Sequence, residues 1–561
     1  MNNTNNYFQK NVSLVWILFF IAITVFIFYL ALFFISLSSL VSDYSWGDVA
    51  YHHQIFYNFL HGRPFQTSVY WSALANSANQ YAYLNMINIH LYLSPFLFSF
   101  IYCLIPNLYG LYFTVLVVNY ISLAFFLWKL VCLFTTEDRL SKYLLVMSFL
   151  LTHAFTFLLI VGKASPILLG TPFLLAAYYF LQRERYGFYY ICSLLFCLSY
   201  DDCGLFFISF LGYVFFFERK HLKPAVVTAL IGLFSVVLVI GILQPMARSN
   251  MPGKSVASIF DALGLVWDSM NSSGFLFRFT NQNGKLLLMF GSLFLAFTVI
   301  LLLSKRSDQQ GQDLYRCLGL IFLAPLSHWA SIVVGVGVHF MPVTVFTFIA
   351  ITLIMSKAKL NISVIWSQQK WLALALISFY LVSNVFVFSY LQRHHIGNEY
   401  AEEKKSNVHC LQVINRIVPN NDSLTYWTGR GVDGFLGNRS NLWRFPHFFD
   451  RADFLVMQKN AKNTFYQAKI ISGQDIYLSL LSGTGHSTGD ITTIDIKMIN
   501  AVSDMLVKAN RSHTIVLDDP EVVILKRKES FRFEQPPETL GFGFFANFSK
   551  YLNQNFHCNV F

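Results

Sequence analysis

Long apolar runs alternate with short polar turns over roughly the first 390 residues, and then the alternation stops. After a first run from Val12 to about Leu40, apolar spans fall at 109–134, 143–162, 165–182, 187–199, 203–217, 225–243, 286–304, 317–337, 339–356 and 369–391. Several approach the ~20 residues a helix needs to cross hydrocarbon. The first run lacks the short apolar core and small-residue cleavage site of a secretory signal, so it reads as a retained helix. A further run, 87–105, contains His90, Ser94 and Pro95 and is closed by Pro106. With the N-terminus inside and Asp48 outside it is not a simple crossing, and it reads as a re-entrant or interfacial helix or as one of an unseparated helix pair, a reading its Pro-bounded, His-containing sequence tolerates. From Gln392 onward the apolar runs shorten, and charge, Asn, Asp, Gly and Pro become frequent. Here the pattern predicts an amphipathic helix over Val408–Val418 ended by Pro419, a strand over Ala452–Met457 and a helix over Ile491–Ala509. Strands over Thr514–Leu517 and Val522–Lys526 flank an Asp-Asp-Pro-Glu turn. The predicted fold is a polytopic α-helical membrane protein with about 11–12 transmembrane or re-entrant helices and a small C-terminal α/β soluble domain. Its transmembrane domain covers 1–391, with external loops at 41–86 and 244–285, and the soluble domain covers 392–561.

Composition agrees with that class. Of 561 residues, 55% are hydrophobic and only 12% are charged, too few charges to cover a soluble protein of this size. The formal net charge of +11 raises the question of nucleic acid. The cations, however, fall in short clusters between apolar spans, and no compact basic domain carries a nucleic-acid motif. Six of the eight cysteines lie in or beside apolar spans; Cys410 and Cys558 are the exceptions. They lack metal-ligand spacing, and a disulfide there requires an oxidising compartment.

The cations also orient the chain. Arg139/Lys142, Arg183/Arg185, Arg219/Lys220/Lys223, Lys305/Arg306 and Lys357/Lys359 occupy alternate loops, and the positive-inside rule assigns all five to the cytoplasm. Asp43/Asp48, Lys163, Asp201/Asp202, the 244–285 loop and the Trp329 to His339 region then share the opposite face with the C-terminal domain. The expected location is a bacterial inner (plasma) membrane, with that face in the periplasm or exterior.

Candidate chemistry collects on the same face. Ser42-Asp43-Tyr44-Ser45-Trp46-Gly47-Asp48 places two carboxylates just outside the first span. A carboxylate at a membrane boundary could act as a general base, hold a divalent metal or activate an acceptor hydroxyl or amine. The plainer alternative is that both aspartates solvate the loop and cap a helix starting near Asp48. Asp201 and Asp202 interrupt apolar sequence and suggest a wet cavity, although adjacent side chains need not point the same way. Lys163 could neutralise a phosphate or snorkel to the boundary. His90 and His339 each head an apolar segment where an anionic headgroup could sit. Arg63, Arg248 and Arg278 are further phosphate candidates. No Walker motif, dinucleotide fingerprint, metalloprotease helix or nucleophile elbow is present, which removes ATP-driven transport and nucleotide-sugar binding through familiar motifs and leaves a divalent metal as the one cofactor to consider.

These motifs resemble the polytopic membrane family DUF2079, related to the GT-C superfamily of lipid-linked-sugar glycosyltransferases. Gly47-Asp48-Val49-Ala50-Tyr51-His52-His53-Gln54, followed by Leu60-His61-Gly62-Arg63, is similar to that family's loop after the first helix. Asp48 falls on its first aspartate, and His53 replaces its second. His90-Leu91-Tyr92-Leu93-Ser94-Pro95, Asp201-Asp202-Cys203-Gly204-Leu205 and His339-Phe340 resemble later motifs, and Lys163-Ala164-Ser165-Pro166 a degraded one. In the C-terminal part, Ile417-Val418-Pro419, Gly437-Asn438-Arg439, Phe445-Pro446 and Ala452-Asp453-Phe454 continue the resemblance. It implies a GT-C-like architecture and a polyprenyl-phosphate sugar as donor. It also implies an acidic residue of the first external loop as catalytic base: Asp48, with Asp43 in reserve. The implied partners are membrane lipid, the lipid-linked sugar and a glycan, lipid or protein acceptor. A carrier or flippase for a lipid-linked or anionic substrate, and a non-catalytic membrane scaffold, are the competing classes. The absence of a clear internal repeat weighs against the carrier.

Overall fold

The structure is a computed structural model. It describes residues 47–63, 66–67, 84–85, 94–134, 142–143, 146, 149–150, 167–200, 203–239, 315–333, 340–357, 401–428, 430–439, 441–444, 451–458, 462–463, 466–467 and 511–529. The expected spans 12–40, 286–304 and 369–391, the 244–285 loop and the helix expected at 491–509 lie outside them. The described part is mostly helical, with one five-stranded sheet and two short hairpins.

The chain enters with α1 (Gly47–Leu60), followed by β1 (Gln66–Thr67) and β2 (Leu84–Asn85) as a small hairpin. Of the 87–105 run, residues 94–105 are described, and they hold α2 (Ser94–Tyr102), nine residues long. Its rise of about 14 Å cannot cross ~30 Å of hydrocarbon. A turn then leads into α3 (Leu108–Phe134), started where the Asn107 side chain accepts the Gly110 N–H at 3.1 Å. Next come α4 (Ile167–Gln182), α5 (Tyr186–Cys197) and α6 (Cys203–Phe217). A 3₁₀ turn (Arg219–His221) precedes α7 (Leu222–Val236). A π-helical turn (Gly319–Leu323) runs into α8 (Leu326–Val333), followed by α9 (Phe340–Lys357).

Among the described residues, two segments are long and apolar enough to cross a membrane: Leu108–Phe134 and Arg219–Val239. Only 44% of each apolar window is buried. A core helix of a soluble protein would bury most of such a window. Here Ile121, Phe125, Leu230, Leu233 and Phe234 stand exposed, joined by Phe188, Ile191 and Leu194 on α5. The helix in the expected 187–199 span has 12 residues and that at 203–217 has 15. Both fall short of the hydrocarbon thickness on their own.

Aromatic packing fills the bundle. Tyr178, Phe206, Phe210, Tyr213 and Phe346 form one buried cluster across α4, α6 and α9. At the α6–α7 contact Gly204 faces Gly232, and a Cβ at Gly204 would lie 2.5 Å from the Gly232 carbonyl oxygen. Glycine on both helices lets the backbones touch, as small residues do where membrane helices cross closely.

The C-terminal domain is built on α10 (Ala401–Ile417), β3 (Leu424–Trp427), α11 (Arg430–Leu436), β4 (Leu442–Arg444) and β5 (Phe454–Gln458). The short hairpin β6 (Lys462–Asn463) and β7 (Tyr466–Gln467) and the final pair β8 (His513–Asp518) and β9 (Val522–Arg527) follow. Strand order is β4-β3-β5-β9-β8, with β4, β3 and β5 parallel and β9 antiparallel to both β5 and β8. Cys410, Val413 and Ile414 face the core at helical spacing. The expected helix and strands appear with shifted limits: α10 starts seven residues before Val408, and β5 is displaced two residues from Ala452. Asp519 makes the β8–β9 turn, its Oδ1 accepting the Glu521 and Val522 amides at 2.8 and 2.7 Å.

Candidate functional site

Helix α1 lies between the bundle and the C-terminal domain and belongs to the core of each. Val49, Phe56 and Leu60 recur on one helical stripe and pack with Tyr102, Leu108, Leu111, Tyr112, Val115 and Leu168. A second stripe, about 100° round the helix, carries Ala50, Gln54 and Tyr57. Ala50 packs with Cys410, Val413, Val432 and Leu436 of the C-terminal domain, as does Ile55. Asp48 is the second residue of α1, immediately before Val49 and Ala50, which are both wholly buried. The start of the helix is therefore gripped from two sides.

His53 sits at the edge between the two stripes. Its Nδ1 donates to the Gly434 carbonyl of α11 at 2.8 Å, and its ring meets Tyr102 edge-on at 6.0 Å. Its Nε2 and the Tyr102 hydroxyl are buried with no hydrogen-bond partner. Burial pushes the imidazole down to about 4, against the smaller raising effect of the Gly434 bond. His53 is thus neutral at physiological pH. Gly437 presses on the same place: a Cβ there would lie 2.7 Å from His53 Nδ1 and 2.9 Å from the Ala50 carbonyl oxygen. The resemblance sets His53, a candidate substrate ligand, at the position of the family's second aspartate; the structure puts it inside the α1–α11 contact, without charge or solvent access.

The second stripe continues into a polar chain. Gln54 Nε2 donates to the Arg439 carbonyl at 2.9 Å, while Gln54 Oε1 accepts from the Thr67 hydroxyl at 2.8 Å. The buried Arg439 guanidinium donates to the carbonyls of Pro419 (2.7 Å) and Val418 (2.9 Å), capping the end of α10. Burial pushes Arg439 down to about 10, against the raising influence of Tyr57 and Asp422, so it stays protonated at neutral pH. Burial raises the Tyr57 phenol, while Arg439 and Arg63 pull it back. His61 stacks on Tyr57 with centroids 4.1 Å apart.

Arg63 lies three residues past the end of α1, its amide bound to the Asn58 carbonyl and its guanidinium 3.5 Å from Asn441 Oδ1. The helix rise sets the backbones of Arg63 and Asp48 about 20 Å apart. Asp43, His90, Lys163, Asp201, Asp202, Arg248, Arg278 and His339 lie outside the described residues. No group of three His, Cys, Asp or Glu side chains able to hold a metal occurs among the described residues. Cys103, buried in the cluster that holds α1, is disulfide-bonded. Cys410, by contrast, is a buried thiol in the core of the C-terminal domain.

A second polar centre was not foreseen. Glu218 Oε1 accepts from Arg316 Nη2 (2.6 Å), Tyr213 Oη (2.9 Å) and Tyr178 Oη (3.2 Å), and its Oε2 from Gln182 Nε2 (2.7 Å). It ties α4 and α6 to the segment before the π turn. Leu168 and Leu169, which start α4, pack toward α1, and Tyr200, just before α6, packs toward the C-terminal domain. The far ends of these helices, with Glu218, accordingly lie at the opposite end of the bundle.

No protein-family model matches the chain, and no curated protein sequence matches it.

Proposed function

We propose that the chain is a GT-C-like membrane glycosyltransferase that moves a sugar from a polyprenyl-phosphate donor to an acceptor on the non-cytoplasmic face. The observation that carries this reading is the two-sided grip on the start of α1, which fixes the backbone of Asp48 where the bundle meets the C-terminal domain. A general base has to be held to within fractions of an ångström, and a helix shared by two cores does this better than a loop. Asp48 takes the proton of the acceptor hydroxyl or amine as that atom attacks the anomeric carbon. The bond from that carbon to the phosphate oxygen breaks, and the phosphate leaves on its lipid with one more negative charge. Lys163 or Arg248 stabilises that charge, and Asp201 or Asp202 orients the acceptor. The lipid tail stays in the bilayer throughout.

Two further features support a multi-pass chain with this face in the periplasm or exterior of a bacterial inner membrane. The cations of Arg183–Arg185 and Arg219–Lys223 lie at the bundle end away from the C-terminal domain, as the positive-inside rule requires if that domain is outside. The disulfide at Cys103 belongs to the domain end, and disulfides persist in oxidising compartments. The test is sugar transfer from polyprenyl-phosphate donors in membranes holding wild type, Asp48→Asn or Asp43→Asn. Loss of transfer in Asp48→Asn supports the assignment; full transfer in both variants refutes it.

A further inference from the structure

The bundle end opposite the C-terminal domain carries two turns side by side. One joins α4 to α5 at Arg183-Glu184-Arg185, and the other is the 3₁₀ turn Arg219–His221. Lys220 and Glu184 link them by an ion pair of 3.5 Å. Arg183, Arg185, Arg219, Lys220 and Lys223 are all exposed, and Arg183, Arg185 and Lys223 have no ion-pair partner among the described residues.

Two independent strains meet at this joint. Glu184 has φ +57°, a left-handed conformation that usually falls to glycine. It closes α4 through Glu184 N–H to Leu181 O (3.0 Å) and Arg185 N–H to Phe180 O (2.9 Å). His221 is wholly buried, edge-on to Tyr186 at 6.3 Å, and neither ring nitrogen has a hydrogen-bond partner. An imidazole always carries at least one N–H, so one donor is buried without an acceptor, a penalty comparable to a lost hydrogen bond. Strain and an orphan donor in one place point to a ligand that supplies what is missing.

We propose that these turns form a binding site for the phosphate of an anionic phospholipid headgroup. A phosphodiester carries one negative charge and acceptor oxygens, matching the unpaired guanidinium and ammonium groups and the His221 N–H. Exposed Phe188, Phe215 and Phe216 at the same end provide apolar surface for acyl chains, which favours a lipid over a free phosphate. The site shares no residue with the Asp48 region and does not depend on the proposed transferase activity.

The experiment uses full-length protein in a neutral detergent and follows thermal unfolding with added phosphatidylglycerol, phosphatidylcholine or glycerol 3-phosphate. Native mass spectrometry reads lipid retention in parallel. Phosphatidylglycerol is expected to raise the midpoint by about 3 °C or more over phosphatidylcholine, with no shift from glycerol 3-phosphate. Arg185→Gln/Lys223→Gln, both exposed positions, should lose most of that shift, and His221→Phe part of it, whereas Lys528→Gln in the C-terminal domain keeps it whole. An undiminished shift in Arg185→Gln/Lys223→Gln, or equal shifts from the two lipids, overturns the site. An equal shift from glycerol 3-phosphate overturns the lipid as its ligand.

Discussion

Replacing Gly437 with alanine tests the contact that holds α1. The added Cβ would meet His53 Nδ1 at 2.7 Å, the Ala50 carbonyl oxygen at 2.9 Å and His53 Cβ at 2.9 Å. One of these atoms is helix backbone and the others belong to a side chain bound to Gly434, so α1 and α11 have to separate. Gly437 does not have a positive φ, so alanine meets no backbone penalty there and the effect is purely steric. Overpacking of this kind costs about 1–3 kcal/mol. Losing the 2.8 Å His53–Gly434 bond adds about 1 kcal/mol. Together they lower the unfolding midpoint of the C-terminal domain by roughly 5–10 °C. Differential scanning fluorimetry in detergent reads the shift, with Gly187→Ala as the control. Gly187 has nothing within 4 Å of an added Cβ, and the change there should be neutral or stabilising. A Gly437→Ala midpoint within about 1 °C of wild type would refute the tight α1–α11 contact.

Acid should loosen the same contact. His53 titrates at 6.5 when unfolded and at about 4 when buried, so the folded state gains from its neutrality above pH 6.5 and loses that gain as pH falls towards 4. The full loss is roughly 3 kcal/mol, read as a midpoint that drops between those pH values in wild type. His53→Phe should flatten this part of the profile; an unchanged slope would rule out His53 as its source. At the other end of the bundle, Arg316→Gln leaves Glu218, only 2% exposed, with Tyr178, Tyr213 and Gln182 but no cation. A destabilisation of about 3 kcal/mol is expected, partly restored by adding Glu218→Gln, and a neutral Arg316→Gln would show that the pair does not hold the bundle.

What the sequence disclosed was what short-range pattern can encode. The β8–β9 hairpin was legible from β-branched runs around Asp-Asp-Pro-Glu, because Asp519 builds that turn from its own neighbours. Helix α10 was legible from Cys410, Val413 and Ile414, but its polar first turns, Ala-Glu-Glu-Lys-Lys, hid its start. Strands β3 and β4, of four and three residues, are too short to show alternation, and Gly431 and Gly434 weaken the helical pattern of the seven-residue α11. The polar centres depend on partners far along the chain. Glu218 reads as one acid in a basic turn until Arg316 arrives from 98 residues away. Arg439 was noticed as part of a motif, yet only the fold shows it capping the end of α10.

The bond between His53 and Gly434 joins residues 381 positions apart. At a synthesis rate of about 5–20 residues per second, α1 leaves the ribosome some 20–75 s before α11 exists. During that interval the stripe of Ala50, Gln54 and Tyr57 has no domain to cover it, although the neighbouring stripe of Val49, Phe56 and Leu60 can already settle on α2 and α3. A chain cut short before residue 401 would keep that stripe bare for good, making α1 a point where quality-control proteases could distinguish unfinished copies from complete ones.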